Sequence, residues 1–279
     1  MTTIVNEVVD GKTSKPGGRK GMPKTVKNGI LTVLLVLVLL AFVQIAVKMG
    51  WVSPLILSAP TDVWSAFIDQ WSTPNFWADV WSTLAATVLG YVLAALVAFF
   101  IAGMMILIRG LEPVVMPLII AVETMPKIAI APILILWLGF GQTGKVTIVA
   151  LVTFFAILIN TLQGLRVTNK DEYELLQSLG ATKLQLFRYV RLPRSLPYVF
   201  AGLRTGAVFA LIGAIVAEFV GSENGLGALI LSARSQFNVP GVWALLFDLM
   251  VIGVIIYAIM AALEKKLLFW SKDQTNPTG

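Results

Sequence analysis

The sequence predicts an all-α integral membrane protein with six transmembrane helices and a helix–Gly–helix loop on the cytoplasmic side. Three observations carry this. Of the 279 residues, 57% are apolar or aromatic and only 13% charged, against roughly 25% charged in an ordinary soluble domain. The apolar residues gather in six long runs, each close to the ~20 residues that one membrane crossing needs. With the N-terminus placed inside, 17 of the 21 Lys and Arg fall on the cytoplasmic side, where basic residues are retained.

The chain has no histidine and no cysteine. That excludes disulfides, thiolate nucleophiles, Cys/His zinc sites, haem ligation by His, and any triad that uses imidazole as its base. The net charge of +6 is an orientation signal, so nucleic acid is not expected as a partner; membrane lipid is.

Residues 1–29 carry Lys12, Lys15, Arg19, Lys20, Lys24 and Lys27 among Gly, Pro, Ser and Thr, and read as a basic, disordered cytoplasmic tail. The run from Ile30 to Val47 ends at Lys48 without a small-residue cleavage site. It reads as an uncleaved first span rather than a secretory signal. Between Gly50 and Asp79, Trp51, Trp64, Trp71 and Trp77 are interleaved with Pro54, Pro60, Asp62 and Asp69. Two arrangements fit this pattern: a segment lying at the headgroup layer, where indole is favoured, or a small folded loop. Asp62, Asp69 and Asp79 read as solvated loop charges. Further spans are expected at Thr83–Ile108, Val114–Leu138, Val146–Leu162, Val199–Val220 and Val242–Leu268. They complete a membrane domain over residues 30–268, and residues 269–279 form a cytoplasmic tail.

The stretch Gly139 to Val146, GFGQTGKV, almost spells a phosphate-binding loop, but Val146 stands where Ser or Thr must hold Mg²⁺. A short connection between two spans also lacks the strand such a loop requires. Nucleotide chemistry is therefore expected on another chain.

The longest inner connection, residues 166–197, is ordered by local rules. Asn169 with Glu172 and Thr182 with Gln185 have the spacing of capping boxes. Tyr173, Leu176 and Leu179, then Leu184, Phe187 and Val190, form apolar stripes at helical spacing. Gly180 ends the first helix, because glycine tolerates the left-handed conformation there. Pro193 is expected to stop the second. An exposed apolar stripe needs a partner, either the chain's own spans or another protein's groove.

Glu174-Leu175-Leu176, three residues, Gly180, nine residues, then Val190-Arg191-Leu192-Pro193 resembles the EAA loop of ABC-importer permeases. Leu175 and Leu176 replace two alanines and Val190 an isoleucine. The segment Met125 to Pro132, the run Leu136 to Gly141, Asn160, Gly164-Leu165-Arg166, Ala217-Glu218-Phe219 and Gly225-Leu226-Gly227 are similar to the branch that serves nitrate, taurine, alkanesulfonates, aromatic acids and pyrimidine precursors. An arginine often found at the start of the second span in that branch is missing after Ser82. The resemblance implies that the loop docks in a groove of a cytoplasmic ATPase through Glu174, Leu175, Leu176, Leu179, Gly180 and Ala181, with Leu192 and Pro193 closing the motif. It also implies a second permease copy, two ATPase subunits holding ATP and Mg, and an extracytoplasmic solute-binding protein. No cofactor is expected in this chain, which lies in a bacterial inner membrane with both termini cytoplasmic.

Candidate pathway residues gather at two places. Lys127 falls near the middle of the expected third span, where an unpaired lysine costs roughly 2.5–3.5 kcal/mol on insertion scales. With Glu123, Met125, Pro126 and Pro132 it suggests a broken helix that exposes backbone and a cation to an anionic solute. A Glu123–Lys127 pair that only orients two helices, or a snorkelling lysine, fits the same residues. Glu218, Gly225 and Gly227 suggest a re-entrant or gate element after the fifth span, or else a capped outer loop with a solvated carboxylate. Gly202 and Gly206 form a small-xxx-small face for close helix packing, within the chain or between copies. A secondary transporter or channel stands as the alternative function; a membrane enzyme finds too few catalytic groups.

Overall fold

The computed structural model describes residues 24–108, 110–166 and 170–268. Among these the elements are helical: α1 (Lys24–Lys48), α2 (Pro60–Trp71), α3 (Phe76–Leu107), α4 (Leu111–Thr124), α5 (Lys127–Leu138), α6 (Gln142–Arg166), α7 (Lys170–Ser178), α8 (Lys183–Leu186), a π-helical turn (Phe187–Arg191), α9 (Leu192–Gly221), α10 (Leu226–Ser235) and α11 (Val239–Leu267). Five helices are long and apolar enough to cross a membrane. The expected third span is a pair, α4 and α5, bent by 90°, the broken helix that Pro126 suggested. Pro126 explains the break, since it has no amide proton and disfavours helical backbone at Met125, which is extended at ψ 140°.

Helix α1 begins at Lys24, so the tail expected over residues 1–29 is helical from there on. Lysine is a good helix former, and the helix extends through Lys24 and Lys27 before its apolar run. The rest of that tail, Asn169 of the first capping box, and residues 269–279 lie outside the described residues. From Ile30 to Phe42 the apolar side chains of α1 are exposed. Its far end is tied to α2, where Gln44 Nε2 donates to Thr61 Oγ1 at 3.1 Å.

The tryptophan-rich stretch folds onto α11. Phe67 of α2 meets Phe247 edge-on at 5.2 Å between ring centroids. Trp71 Nε1 donates to Asp248 Oδ1 at 3.1 Å, and Gln70 Nε2 donates to Asp248 Oδ2. Asp248 is buried within α11, and the sequence offered no sign of its partners.

Helices α3, α6 and α9 form the centre of the molecule. Their contacts are lined by small residues, among them the buried Ala86, Ala94, Ala98, Ala210, Ala214 and Ala217. Without water to drive association, close approach of small residues supplies the packing between membrane helices. The Gly202/Gly206 face packs within the chain: added Cβ atoms would lie 2.7 Å from Asn160 Cβ and 2.7 Å from Ile157 Cγ1, both on α6.

The helix–Gly–helix loop forms as expected up to one correction. Gly180 takes φ +82°. Its amide donates to Gln177 O at 3.0 Å, and the Ala181 amide donates to Leu176 O at 3.0 Å, the paired bonds of a Schellman cap. The capping box of Thr182 and Gln185 is present. Pro193, however, does not stop the second helix, and the loop does not extend to Pro197. Lys183 to Gly221 is one continuous 39-residue helix. The π turn before Pro193, in which the Leu192 amide reaches back to Phe187 O, widens the backbone where the proline ring would otherwise crowd a carbonyl.

Candidate functional site

Three places on the chain hold the candidate residues. At the first, the α4–α5 elbow opens on a cavity of about 480 Å³. Its walls include Glu123, Met125, Pro126 and Lys127 from the elbow, Phe155 and Asn160 from α6, and Thr205 and Phe209 from α9. The Glu123–Lys127 ion pair does not form. Lys127 Nζ donates to the Glu123 backbone carbonyl at 3.1 Å and sits 4.7 Å from the Phe155 ring centroid. That carbonyl is among the last four of α4, which lack helical partners. The cation therefore caps a helix C-terminus and rests on a π face, two favourable settings for positive charge at depth. Pro132 is exposed on α5 and is not part of this cavity's wall.

At the second place, Glu218, Gly225 and Gly227 come together in a buried cluster. Glu218 is 0% exposed, so it is no solvated carboxylate. It accepts from Thr83 Oγ1 at 2.8 Å and from the Gly227 amide at 2.8 Å. Lys145 Nζ lies 3.6 Å from Glu218 Oε1 and donates to Ser82 Oγ at 3.0 Å and Asn224 O at 2.6 Å. Asp79 Oδ1 accepts from the Gly225 amide at 2.7 Å, and Thr83 Oγ1 accepts from the Leu226 amide at 2.9 Å. Three of the four amides left open at the N-terminus of α10 are thus capped by side chains of α3 and α9. Two glycines are required sterically. Gly225 has φ +123° and faces the Glu218 carboxylate directly, and a Cβ on Gly227 would lie 2.7 Å from Glu218 Cβ.

This cluster corrects two expectations. Asp79 is a buried acceptor rather than a solvated loop charge. Lys145, the lysine of the near-miss phosphate loop, is 4% exposed and fully engaged by protein groups; the element before it is helix α5. In the sequence Ser82 stands only beside a missing arginine and Thr83 only as the start of the second span.

The third place is the α7–α8 loop. Glu174, Leu175, Leu179 and Leu184 are exposed, Leu179 by 75%, while Leu186 and Val190 are buried. The second apolar stripe therefore divides: Phe187 and Val190 turn toward the body of the protein, Leu184 away from it. Leu176, Leu179, Gly180, Ala181, Gln185 and Tyr189 surround a hollow of about 320 Å³. Leu192 and Pro193 are exposed at the foot of α9. The loop is anchored to that foot: Arg194 donates through Nε and Nη2 to the Glu172 carboxylate, and Arg191 lies 5.3 Å from the Tyr173 ring centroid.

Comparison with known proteins places this architecture. The model of the family described as binding-protein-dependent transport system inner membrane component matches residues 90–269. The formylaminopyrimidine transport permease protein ThiX of Halalkalibacterium halodurans is 38% identical over 221 residues, covering 79% of this chain and 88% of that protein. The riboflavin transport system permease protein RibX of Chloroflexus aurantiacus is 37% identical, with 84% and 87% covered. The taurine transport system permease protein TauC of Escherichia coli is 27% identical, with 97% and 98% covered. An inward-facing structure of the MetNI methionine ABC transporter superposes with a TM-score of 0.62 at 18% identity, covering 70% of this chain and 98% of that one; that likeness shows the fold alone. The chain belongs to the binding-protein-dependent transport system inner membrane component family, and is a transmembrane permease subunit of an ABC importer.

Proposed function

We propose that two copies of this permease form a translocation pathway, that two cytoplasmic ATPase subunits dock on the α7–α8 loops, and that an extracytoplasmic solute-binding protein delivers the solute. ATP and Mg reside on the ATPases; this chain performs no covalent chemistry. Both termini lie in the cytoplasm of a bacterial inner membrane. The observation that carries the coupling role is the α7–α8 loop itself. It is closed by a Schellman cap at Gly180 and a capping box at Thr182, anchored by Glu172–Arg194, and yet leaves Leu175, Leu179 and Leu184 exposed. An apolar face so firmly built fits a partner's groove. ATP binding on the ATPases draws the two loops together and shifts the permease between inward and outward states, by as much as its differential affinity for them allows.

The pathway passes the α4–α5 elbow. Irregular backbone at membrane depth is tolerated where it lines a cavity, and Lys127, Asn160 and Phe209 supply a cation, an amide and an exposed ring there. Lys127 is already engaged by a carbonyl and a ring, which weakens the case for a simple anion. Rings suit a planar solute, and the relatives of 37–38% identity carry the names of a pyrimidine and a flavin. The solute is a small planar nitrogen heterocycle rather than taurine or a sulfonate. Uptake into proteoliposomes holding the whole complex tests this: a labelled aminopyrimidine is expected to accumulate with ATP, and preference for taurine contradicts it.

A further inference from the structure

The buried cluster at the α9–α10 corner joins parts of the chain that do opposite jobs. Helix α9 is continuous with α8 through the π turn, so a single 39-residue helix, about 58 Å at 1.5 Å per residue, runs from the Thr182 cap of the cytoplasmic loop to Gly221. Its foot is clamped to α7 by Arg194 and Glu172. Its other end carries Glu218, whose carboxylate holds the Gly227 amide of α10. Beside it, α6 is packed so closely that a Cβ on Gly213 would lie 3.1 Å from Val149 Cα, and one on Gly164 2.8 Å from Ser195 O. That helix brings Lys145 to the same carboxylate. Helix α3 closes the cluster through Asp79 and Thr83.

A buried ion pair costs desolvation, and replacing it by apolar groups often loses no stability. A pair like this is better explained by a geometry that must be held. Here the geometry is the attachment of α10, which with Leu229, Ser232 and Ala233, and Gln236 at its C-cap, walls a cavity of about 660 Å³ also lined by Asp79 of the cluster and by Asp69 and Gln70 of α2. We propose, resting on the coupling role given above, that Glu218, Lys145 and Thr83 are positioning residues that fasten α10 to the α6–α9 pair. Displacement of the cytoplasmic loop is thereby delivered to the wall of the 660 Å³ cavity at the far end. In this scheme α10 is an outer extension of the coupling rod and has no independent motion as a lid.

The absence of cysteine makes the test direct. Ser232→Cys on α10, or Gln236→Cys at its C-cap as an independent reporter, places one thiol at an exposed position lining the cavity. Maleimide labelling is followed in the complete reconstituted complex, with and without ATP plus vanadate. With the cluster intact, the labelling rate is expected to change by about fivefold or more, the lower end of ordinary coupling between sites. In Thr83→Val, and in the double variant Lys145→Met with Glu218→Gln, which removes both charges of the buried pair together, the change is expected to vanish while vanadate still traps nucleotide on the ATPases. An unchanged ATP response in these variants overturns the proposal. So does a constant labelling rate in a reporter protein that still transports. If the parent complex shows no ATP-driven uptake, the importer reading itself fails, and that result is distinct from either outcome.

Discussion

At the scale of single residues, two lysines of similar sequence appearance have different surroundings. Lys127 is half-exposed at a cavity, whereas Lys145 is buried against Glu218. Lys145→Met leaves that carboxylate in the interior without its cation, and is expected to cost about 3–5 kcal/mol, read as a large fall in thermal unfolding temperature in detergent. Gly227→Ala forces a Cβ to 2.7 Å from Glu218 Cβ and is expected to cost about 1–3 kcal/mol by overpacking, with the same measurement as its check. Lys127→Met removes the cap on the Glu123 carbonyl, and is expected to change solute preference and apparent affinity in uptake assays while assembly with the ATPase persists; unaltered preference and rate contradict a pathway role. The sequence singled out Glu218, Gly225 and Gly227 but not their partners. Thr83 and Asp79 lie 135 and 146 positions from the groups they hold, and no local spacing encodes such a meeting. Asp248 escaped notice for the same reason, its partners lying in α2.

Among the elements, the α7–α8 loop is the most legible, because a capping box, a helix-ending glycine and apolar stripes all act within a few residues. Its Schellman cap and Thr182–Gln185 box follow directly from those rules. Pro193 does not end the loop's second helix, since proline breaks a helix only where its missing donor and its ring are not absorbed, and the π turn absorbs both. Similarly, hydropathy alone reads α4 and α5 as one span; the apolar content is continuous and only the backbone at Met125 and Pro126 breaks it. Gly180→Ala places a Cβ on a residue at φ +82° and is expected to cost about 1–2 kcal/mol locally. Glu174→Arg leaves the fold unstrained, because Glu174 is exposed. It is expected to abolish ATPase co-purification and solute uptake together, and normal co-purification with normal uptake contradicts docking at this face.

For the whole molecule, composition separated a membrane protein from a soluble one. The α3–α6–α9 centre did not follow from hydropathy, because small residues that pack helices look the same in sequence as those that face lipid. What emerges is a permease with the exposed α7–α8 loop at one end of a continuous helix and a buried polar corner at the other. The central claim is that this chain moves solute only when a separate ATPase drives it. Uptake of labelled solute is measured in proteoliposomes containing the permease with its binding protein, with and without the ATPase and ATP. Accumulation against a gradient is expected only when both are present, and it is expected to disappear with Glu174→Arg. Accumulation by the permease in the absence of any ATPase contradicts the account.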